Sequence, residues 1–149
     1  MKFHISSLQD TRALAEKIAA ILQKGDVIAL YGNLGVGKTT FARFLIQFLV
    51  PDIVEVPSPT FNLVQVYDVP LFPLWHFDFY RLEEPEEIME IGFEEALVSG
   101  VSLIEWPEKI GRYLPSDRIE LYFTSSDTSE NAREVEIVFK GKKYAGKNI

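Results

Sequence analysis

The sequence predicts an α/β fold: a three-layer, P-loop NTPase-like domain built on a mixed parallel and antiparallel sheet. The first observation is a phosphate-binding loop at 32–39, which reads Gly-Asn-Leu-Gly-Val-Gly-Lys-Thr and matches the pattern G-x-x-x-x-G-K-[ST]. An apolar run at 27–31 precedes this loop and a helical pattern at 40–49 follows it, which is typical of a strand–loop–helix unit in a parallel sheet. The second observation is the alternating pattern in 61–79 and 117–140, which predicts antiparallel hairpins beside that core.

Local signals predict where the elements begin and end. Ser7 is an N-cap candidate for a helix from Leu8 to Gln23, and Gly25 is its stop signal. Pro51 ends the helix that follows the phosphate loop. Periodicity predicts the remaining elements: an edge strand at 3–5, strands at 61–67, 74–79 and 101–106, an acidic helical segment at 83–98 interrupted near Gly92, and an antiparallel pair at 117–124 and 133–140.

Length and composition limit the kinds of protein to consider. The 149 residues are expected to form one P-loop domain, spanning 1–149. The chain has no cysteine, which excludes disulfides, iron–sulfur sites and a thiol nucleophile. No signal-peptide pattern or long apolar run occurs, so we expect a cytoplasmic protein that does not bind membranes. The net charge of −7 argues against strong direct binding to nucleic acid.

The phosphate loop predicts which residues hold a nucleotide. Gly35 and Gly37 let successive N–H groups turn toward a phosphate, because glycine has no Cβ. Lys38 is placed to reach the β- and γ-phosphates, and the Thr39 hydroxyl to reach a magnesium ion. The predicted nucleotide contacts in this segment are Asn33, Leu34, Gly35, Val36, Gly37, Lys38, Thr39 and Thr40.

An apolar strand at 101–104 ends in the carboxylate of Glu105. An acid at the C-terminal end of a strand beside a phosphate loop is where a magnesium ligand would lie. The alternative is an exposed strand-end acid with no function. Because the same chain contains a phosphate loop, we favour the magnesium ligand.

The segment 75–81 places polar side chains on one face of a predicted strand. Alternation puts His76, Asp78 and Tyr80 on one face and three aromatic side chains on the other. The polar face could line a site in which Asp78 orients water or metal. The alternative is a solvated face with an ion pair between Asp78 and Arg81, and the sequence does not decide between the two. A zinc site at His76 is disfavoured, since no cysteine and only two histidines are present.

Two further residues have less specific signals. Thr60, in the proline-flanked segment 57–61, offers a hydroxyl to a γ-phosphate or its magnesium ion, although an ordinary rigid loop has the same pattern. Trp106, next to Glu105, is expected in the packed core; a ring beside the nucleotide is the alternative.

Four motifs together closely resemble the TsaE (YjeE) family, the small ATPases of bacterial tRNA threonylcarbamoyladenosine biosynthesis: GNLGVGKTT, SPTF, HFDFYR and LIEWPEKIGRYLP, in this order and spacing. The resemblance runs from Asp10-Thr11 to the strand that contains Arg133, with Val36 where the family usually has alanine. It implies that Thr11 and Arg133 lie near the nucleoside of ATP.

The resemblance also implies roles for the residues around the phosphates. Lys38 and the loop amides would hold the phosphates, and Thr39 with Glu105 would hold Mg²⁺. Thr60 would belong to a switch-like loop. Asp78 and Tyr80 would belong to the hydrolysis site, although either Asp78 or Glu105 could orient the attacking water.

By resemblance, the chain would be a Mg-dependent ATPase that docks on the TsaB–TsaD enzyme pair and is accelerated by its partner. Such a reaction needs positioning and charge neutralisation more than covalent chemistry. The alternatives are a non-hydrolysing ATP-sensing scaffold and a small-molecule kinase, whose phosphorylated substrate the acid-rich segment 83–98 would repel. A GTP switch is disfavoured, because neither N-K-x-D nor D-x-x-G follows the loop.

Overall fold

The computed structural model describes residues 1–33, 35–53, 55–57, 59–126 and 132–149. Within these ranges the regular elements are β1 (Lys2–Ile5), α1 (Leu8–Ile21), β2 (Val27–Tyr31), α2 (Lys38–Leu49), β3 (Val64–Val69), β4 (Phe72–Asp78), α3 (Phe93–Ser99), β5 (Val101–Glu105), β6 (Arg118–Ser125) and β7 (Arg133–Lys140). Short 3-10 helices cover Pro85–Ile91, Pro107–Lys109, Gly111–Tyr113 and Lys142–Tyr144. None of the helices in the described ranges has the length and apolar character needed to cross a bilayer.

The strands form a mixed seven-stranded sheet in the order β1-β7-β6-β2-β5-β4-β3. The central strands β6, β2, β5 and β4 are parallel. At the two sides, β7, β1 and β3 add antiparallel pairs. The predicted α/β fold with a mixed parallel and antiparallel sheet is therefore confirmed.

Strand alternation divides the core into two clusters, one on each face of the sheet. Helices α1 and α2 cover one face, where Phe41 of α2 belongs to the same cluster as Leu103 of β5. Helix α3 and the 3-10 helix Pro85–Ile91 cover the other face, where Phe93 belongs to a cluster with Phe77 of β4. The result is the predicted arrangement of three layers.

The parallel strands determine where polar groups can meet. Leu74 of β4 and Leu103 of β5 face α1 and α2. Because side chains alternate, Asp78 and Glu105 at the ends of these strands are on that same face. β2 leads into the phosphate loop, and α2 begins at Lys38. The loop and both acids consequently lie at the carboxyl edge of the sheet, where α/β proteins bind ligands.

The predicted helix boundaries are close to those observed. Ser7 is the N-cap of α1, and its side chain accepts a hydrogen bond from the Asp10 N–H at 3.1 Å. The helix ends at Ile21, two residues before the predicted end, and the chain then turns through Gly25 at φ 94°. Helix α2 ends at Leu49, ahead of Pro51 as predicted.

The predicted strand at 61–67 is wrong in its first half. β3 begins only at Val64, because the Leu63 N–H bonds to the Pro59 carbonyl at 2.6 Å and closes a turn. Leu63 also has φ 68°, a left-handed conformation that an extended strand cannot contain. β4 begins at Phe72, two residues earlier than predicted, since its ladder with β3 extends to Val69.

Candidate active site

The N-terminus of α2 is open to a cavity. Gly37 is the N-cap of the helix at φ 104°, and within the described residues no side chain caps this N-terminus. Gly35 has φ 80°, and a Cβ added at either glycine would meet no atom of the described residues within 4 Å. The two glycines are thus required by backbone conformation rather than by lack of space. Uncapped N–H groups at a helix N-terminus form an anion-binding site.

The other end of the loop is packed against β6. Gly32 has φ 143°, and a Cβ there would lie 2.7 Å from the Phe123 carbonyl oxygen and 2.7 Å from the Val36 Cγ2. Val36 itself is buried in the cluster beneath α1 and α2. This packing holds the start of the loop in place, so that Gly35 and Gly37 lie beside the cavity.

Lys38 is a buried cation, 4% exposed, whose close partners in the described chain are uncharged. Its Nζ donates to the Gly32 carbonyl at 2.5 Å and lies 3.7 Å from the centroid of the Trp106 ring. Burial lowers the pKa of Lys38, and the charges of Glu108 and Glu105 partly oppose that effect. No salt bridge joins Lys38 to an acid in the described ranges. An anionic ligand would supply the missing close counter-charge.

Glu105 ends β5 and is only 2% exposed. The Thr39 hydroxyl donates to its Oε1 at 2.8 Å, and the His76 Nε2 lies 2.8 Å from its Oε2. Burial acts to raise the pKa of Glu105, but the hydrogen bonds from His76 and Thr39 and the charge of Lys38 outweigh it and hold the pKa below its ordinary value. Glu105 is therefore an ionised carboxylate directed at the first turn of α2.

Asp78 lies beside Glu105, its partner in the ladder of β4 and β5. The Thr60 hydroxyl donates to the Asp78 Oδ2 at 3.0 Å, and the Tyr80 backbone N–H donates to its Oδ1 at 3.0 Å. The loop that contains Thr60 is thereby connected to the acid edge of the sheet. Two carboxylates from neighbouring strands and one hydroxyl from a separate loop converge here.

The polar face of β4 is buried rather than solvated. His76 and Asp78 are both buried, and of these three side chains only Tyr80, beyond the end of the strand, is exposed. The Arg81 guanidinium lies over the Phe61 ring, 4.5 Å from its centroid, and no salt bridge joins Arg81 to Asp78 in the described chain. The alternative of a solvated face with that ion pair is wrong.

The expectation that Trp106 lies in the packed core is also incomplete. Trp106 adopts φ 59°, an uncommon conformation for a bulky residue, directly after Glu105. Its ring lies 5.1 Å from the Tyr80 ring and covers the Lys38 ammonium group, while its other contacts belong to the cluster beneath α3. The backbone turn, which the sequence pattern does not reveal, directs the indole into the cavity wall.

These groups surround a cavity of about 590 Å³. The predicted site residues on its wall are Thr11, Gly35, Val36, Gly37, Lys38, Thr39, Thr40, Thr60, Asp78, Tyr80, Glu105 and Arg133. Asn33 instead lines a separate recess with Tyr31 and Tyr122, and the predicted contact Leu34 lies outside the described residues. The wall also contains five residues that were not predicted as site residues: Ile5, Ser6, Ser7, Leu8 and Trp106.

The part of the wall formed by residues 5–8 depends on long-range strand pairing. Ile5 at the end of β1 is the ladder partner of Arg133 at the start of β7. The Arg133 Nη2 donates to the Gly35 carbonyl at 3.4 Å, and the Thr11 hydroxyl donates to the Ser7 carbonyl at 3.4 Å. The Ser7 cap was readable in the sequence, but its position beside the phosphate loop was not.

The oxygens of Thr39 and Glu105 would suit a magnesium ion, provided that a phosphate and water supplied its other ligands. Thr39 Oγ1 and Glu105 Oε1 lie 2.8 Å apart beside the first turn of α2. In the part of the chain that the structure describes, no group of three His, Cys, Asp or Glu side chains could hold a metal ion. Mg²⁺ commonly uses one or two carboxylates and completes its shell with water and substrate phosphates.

A family model and the relatives found by sequence comparison indicate the same protein family. A family model described as threonylcarbamoyl adenosine biosynthesis protein TsaE matches residues 5–135. The tRNA threonylcarbamoyladenosine biosynthesis protein TsaE of Rickettsia bellii is 44% identical over 117 residues, which cover 78% of this chain and 81% of that protein. The protein of the same name from Bacillus subtilis is 34% identical over 146 residues, covering 97% and 89%. The crystal structure of Bacillus subtilis YdiB superimposes with a TM-score of 0.77 at 29% identity, covering 97% of this chain and 88% of that one.

Proposed function

The chain belongs to the TsaE family of tRNA threonylcarbamoyladenosine biosynthesis proteins, and from this premise we propose that it binds Mg–ATP and hydrolyses it in support of that modification. One observation carries the proposal: an uncapped helix N-terminus, the buried Lys38 and the Thr39–Glu105 pair meet at one cavity. A triphosphate with its cation would compensate the charge of each of these groups.

Each part of the wall has a role in the proposed reaction. The N–H groups of the loop and Lys38 bind the β- and γ-phosphates, and Thr39 and Glu105 hold Mg²⁺. When bound, the ion neutralises charge on the phosphate oxygens. Phosphoryl transfer to water depends mainly on positioning and charge stabilisation, so these residues need form no covalent intermediate.

Asp78 is the acid that orients the attacking water in this proposal. Glu105 is directed at the Thr39 hydroxyl, where the cation would be held. Asp78 is the second carboxylate at the same strand ends. From the residues that the structure describes, each of its oxygens accepts one hydrogen bond, from Thr60 or from Tyr80, and a carboxylate oxygen can accept a second one from water. The hydroxyl of Thr60 brings its loop to the same place, where it could sense the γ-phosphate.

The nucleoside would lie in the part of the cavity between the start of α1 and the start of β7. Ile5 and Leu8 supply apolar surface there, and Thr11 and Arg133 supply polar groups. An apolar pocket with a few polar groups suits a purine ring and its sugar. The preference for ATP over other purine nucleotides comes from the family resemblance.

We propose the TsaB–TsaD pair as the partner, on the basis of the family. Arg133 is the one arginine that lines the cavity in the described chain, and it hydrogen-bonds to the Gly35 carbonyl. An arginine that neutralises transition-state charge often comes from a partner protein, so we expect slow turnover by the chain alone. The net charge of −7 suits a protein surface better than bare RNA.

Phosphate release under saturating ATP tests the proposal, with and without Mg²⁺ and with and without purified TsaB–TsaD. We expect slow release by the chain alone, faster release with the pair, and none above background without Mg²⁺. Mg–ATP binding with no release even beside the pair would overturn hydrolysis and favour the ATP-sensing scaffold. Absence of Mg–ATP binding by calorimetry would overturn the proposal as a whole.

A further inference from the structure

His76 is a buried polar residue that has no role in the reaction described above. It lies on β4, two residues before Asp78 and on the same face of the sheet, and it is 1% exposed. Its Nε2 lies 2.8 Å from the Glu105 Oε2. Its Nδ1 is also buried and has no hydrogen-bond partner in the described chain. A polar ring in this position therefore makes a single hydrogen bond, to the acid of the proposed magnesium site.

The direction of this bond follows from the chemistry of its two groups. An ionised carboxylate only accepts hydrogen bonds, so the proton between the two residues belongs to the His76 Nε2. A buried nitrogen without a partner destabilises a fold, and an apolar side chain on β4 would avoid that cost. The position is thus suited to holding Glu105 rather than to packing alone.

The carboxylate of Glu105 is held at both of its oxygens by different elements. The Thr39 hydroxyl of α2 binds Oε1, and the His76 ring of β4 binds Oε2. Glutamate has three side-chain torsions, and a carboxylate bonded at only one oxygen can still rotate about the last of them. The rigid ring on the neighbouring strand removes that freedom. Bonds of this kind behind a metal ligand orient it and typically change metal affinity by about 10- to 100-fold.

We propose that His76 is a positioning residue, which fixes the carboxylate plane of Glu105 so that Oε1 is presented to a Mg²⁺ ion beside Thr39. The proposal rests on the proposed function, because it assumes that Mg²⁺ is bound there with ATP. It assigns His76 no contact with ATP and no proton transfer. Its effect should therefore be on Mg²⁺ affinity, with nucleotide binding in the absence of Mg²⁺ left unchanged.

Two variants of nearly equal shape separate the hydrogen bond from the packing. His76→Gln keeps an N–H donor at about the distance of Nε2, whereas His76→Met has the same unbranched length and no donor. The measurement is the Mg²⁺ concentration that gives half-maximal binding of a fluorescent methylanthraniloyl-ATP. We expect the Met variant to need about 10- to 100-fold more Mg²⁺ than wild type, and the Gln variant less than about threefold more. His4→Gln, at the exposed histidine of β1, is the matched control and should match wild type.

The outcomes distinguish this inference from the proposed function. Equal Mg²⁺ dependence in the Gln and Met variants, whether normal or weakened, would overturn the role of the hydrogen bond. A wild-type protein that binds the nucleotide with no Mg²⁺ dependence would instead overturn the proposed magnesium site, and the inference with it. Thermal melts without nucleotide show whether each variant is folded.

A measurement on wild type keeps the inference testable if the Met variant does not fold. In protein labelled with ¹⁵N-histidine, long-range NMR correlations report which ring nitrogen of His76 carries a proton. We expect a protonated Nε2 whose signal shifts in Glu105→Gln, while the His4 signals stay in place. An unprotonated Nε2, or a His76 signal that does not respond to Glu105→Gln, would contradict the proposal.

Discussion

Glu105 and Glu120 are two buried glutamates on strands that flank β2, and their surroundings differ. Both are 2% exposed. Glu105 is the ladder partner of Leu30 and Glu120 that of Ala29, so alternation along β2 directs them to opposite faces of the sheet. One carboxylate faces α2 and the cavity, and the other faces away from them.

In the described part of the chain, four side chains surround the Glu120 carboxylate as hydrogen-bond donors or cations. Arg118 Nε donates to its Oε2 at 2.8 Å, and the Tyr122 hydroxyl donates to its Oε1 at 2.8 Å. The Tyr31 hydroxyl lies 3.3 Å from Oε2, and the Lys140 ammonium group lies 4.0 Å from Oε1. Among the described residues, Glu105 has two hydrogen-bond donors, Thr39 and His76, and it lines the cavity.

A buried acid that stabilises the fold differs from one that is available to a ligand in the groups that surround its carboxylate. The pKa of each glutamate lies below its ordinary value, so ionisation does not separate the two. What separates them is whether a permanent cation is hydrogen-bonded to the carboxylate. The Arg118 guanidinium is bonded to Glu120, whereas Glu105 is bonded to a hydroxyl and an imidazole and has an open cavity beside it.

The largest expected effect is on hydrolysis in Glu105→Gln. The substitution keeps the size of the side chain and removes the charge that would offset Mg²⁺. We expect partner-stimulated phosphate release to fall by at least about 100-fold, as for the loss of several kcal/mol of transition-state stabilisation, while ATP still binds. Glu120→Gln should release phosphate at the wild-type rate. Release from Glu105→Gln within about twofold of wild type would leave Asp78 as the acid to test.

The next effect is on nucleotide affinity in Lys38→Ala. Loss of a charge-assisted bond to phosphate should weaken Mg–ATP binding by about 10- to 100-fold in calorimetry. The fold should remain as stable as wild type or more so, because a buried cation without a close acid is removed. Lys24→Ala, at an exposed lysine, is the control and should bind normally. Unchanged affinity in a folded Lys38→Ala protein would contradict the role of the phosphate loop.

A third effect, on stability alone, is expected in Glu120→Gln. Without the carboxylate charge, the mostly buried Arg118 loses its ion-pair partner, which should lower the free energy of unfolding by about 1–3 kcal/mol. Urea denaturation measures this change. Glu136→Gln, at an exposed position opposite Tyr122 in the β6–β7 ladder, should change stability by less than about 0.5 kcal/mol. Equal values for the two variants would show that the Glu120 cluster does not stabilise the fold.

The smallest effect is a pH dependence that belongs to the Glu120 cluster. The pKa of Tyr122 is raised to about 12, mainly by burial and then by the hydrogen bond to Glu120 and the charge of that residue. The pKa of Tyr31 is also raised to about 12, by burial and then by the charge of Glu120. The unfolded chain releases these two protons near pH 10, whereas the folded chain keeps them until about pH 12. The contribution of the two tyrosines to the free energy of unfolding is therefore complete below pH 10 and falls between pH 10 and about 12. Denaturation at several pH values should show a shallower alkaline decline in Glu120→Gln. An identical decline in both proteins would remove Glu120 as the cause.

Local patterns in the sequence were sufficient for much of the fold and part of the candidate site. The phosphate loop, the Ser7 cap and the strand that ends at Glu105 were readable, because each depends on a few neighbouring residues and on strand or helix periodicity. The prediction of a strand from position 61 was wrong because it rested on periodicity alone, and periodicity contains no information on the turn at Leu63.

Contacts between distant residues were decided only by the tertiary structure. Thr39 and Glu105 are 66 positions apart, and His76 and Glu105 are 29 apart, yet both pairs are hydrogen-bonded. The sequence by itself determined which residues could bind a phosphate and which strand carries the acid, because those properties follow from local backbone geometry and side-chain chemistry. The order and register of the strands determined that Glu105 faces the cavity and Glu120 does not, because a one-residue difference in register reverses the face of every side chain.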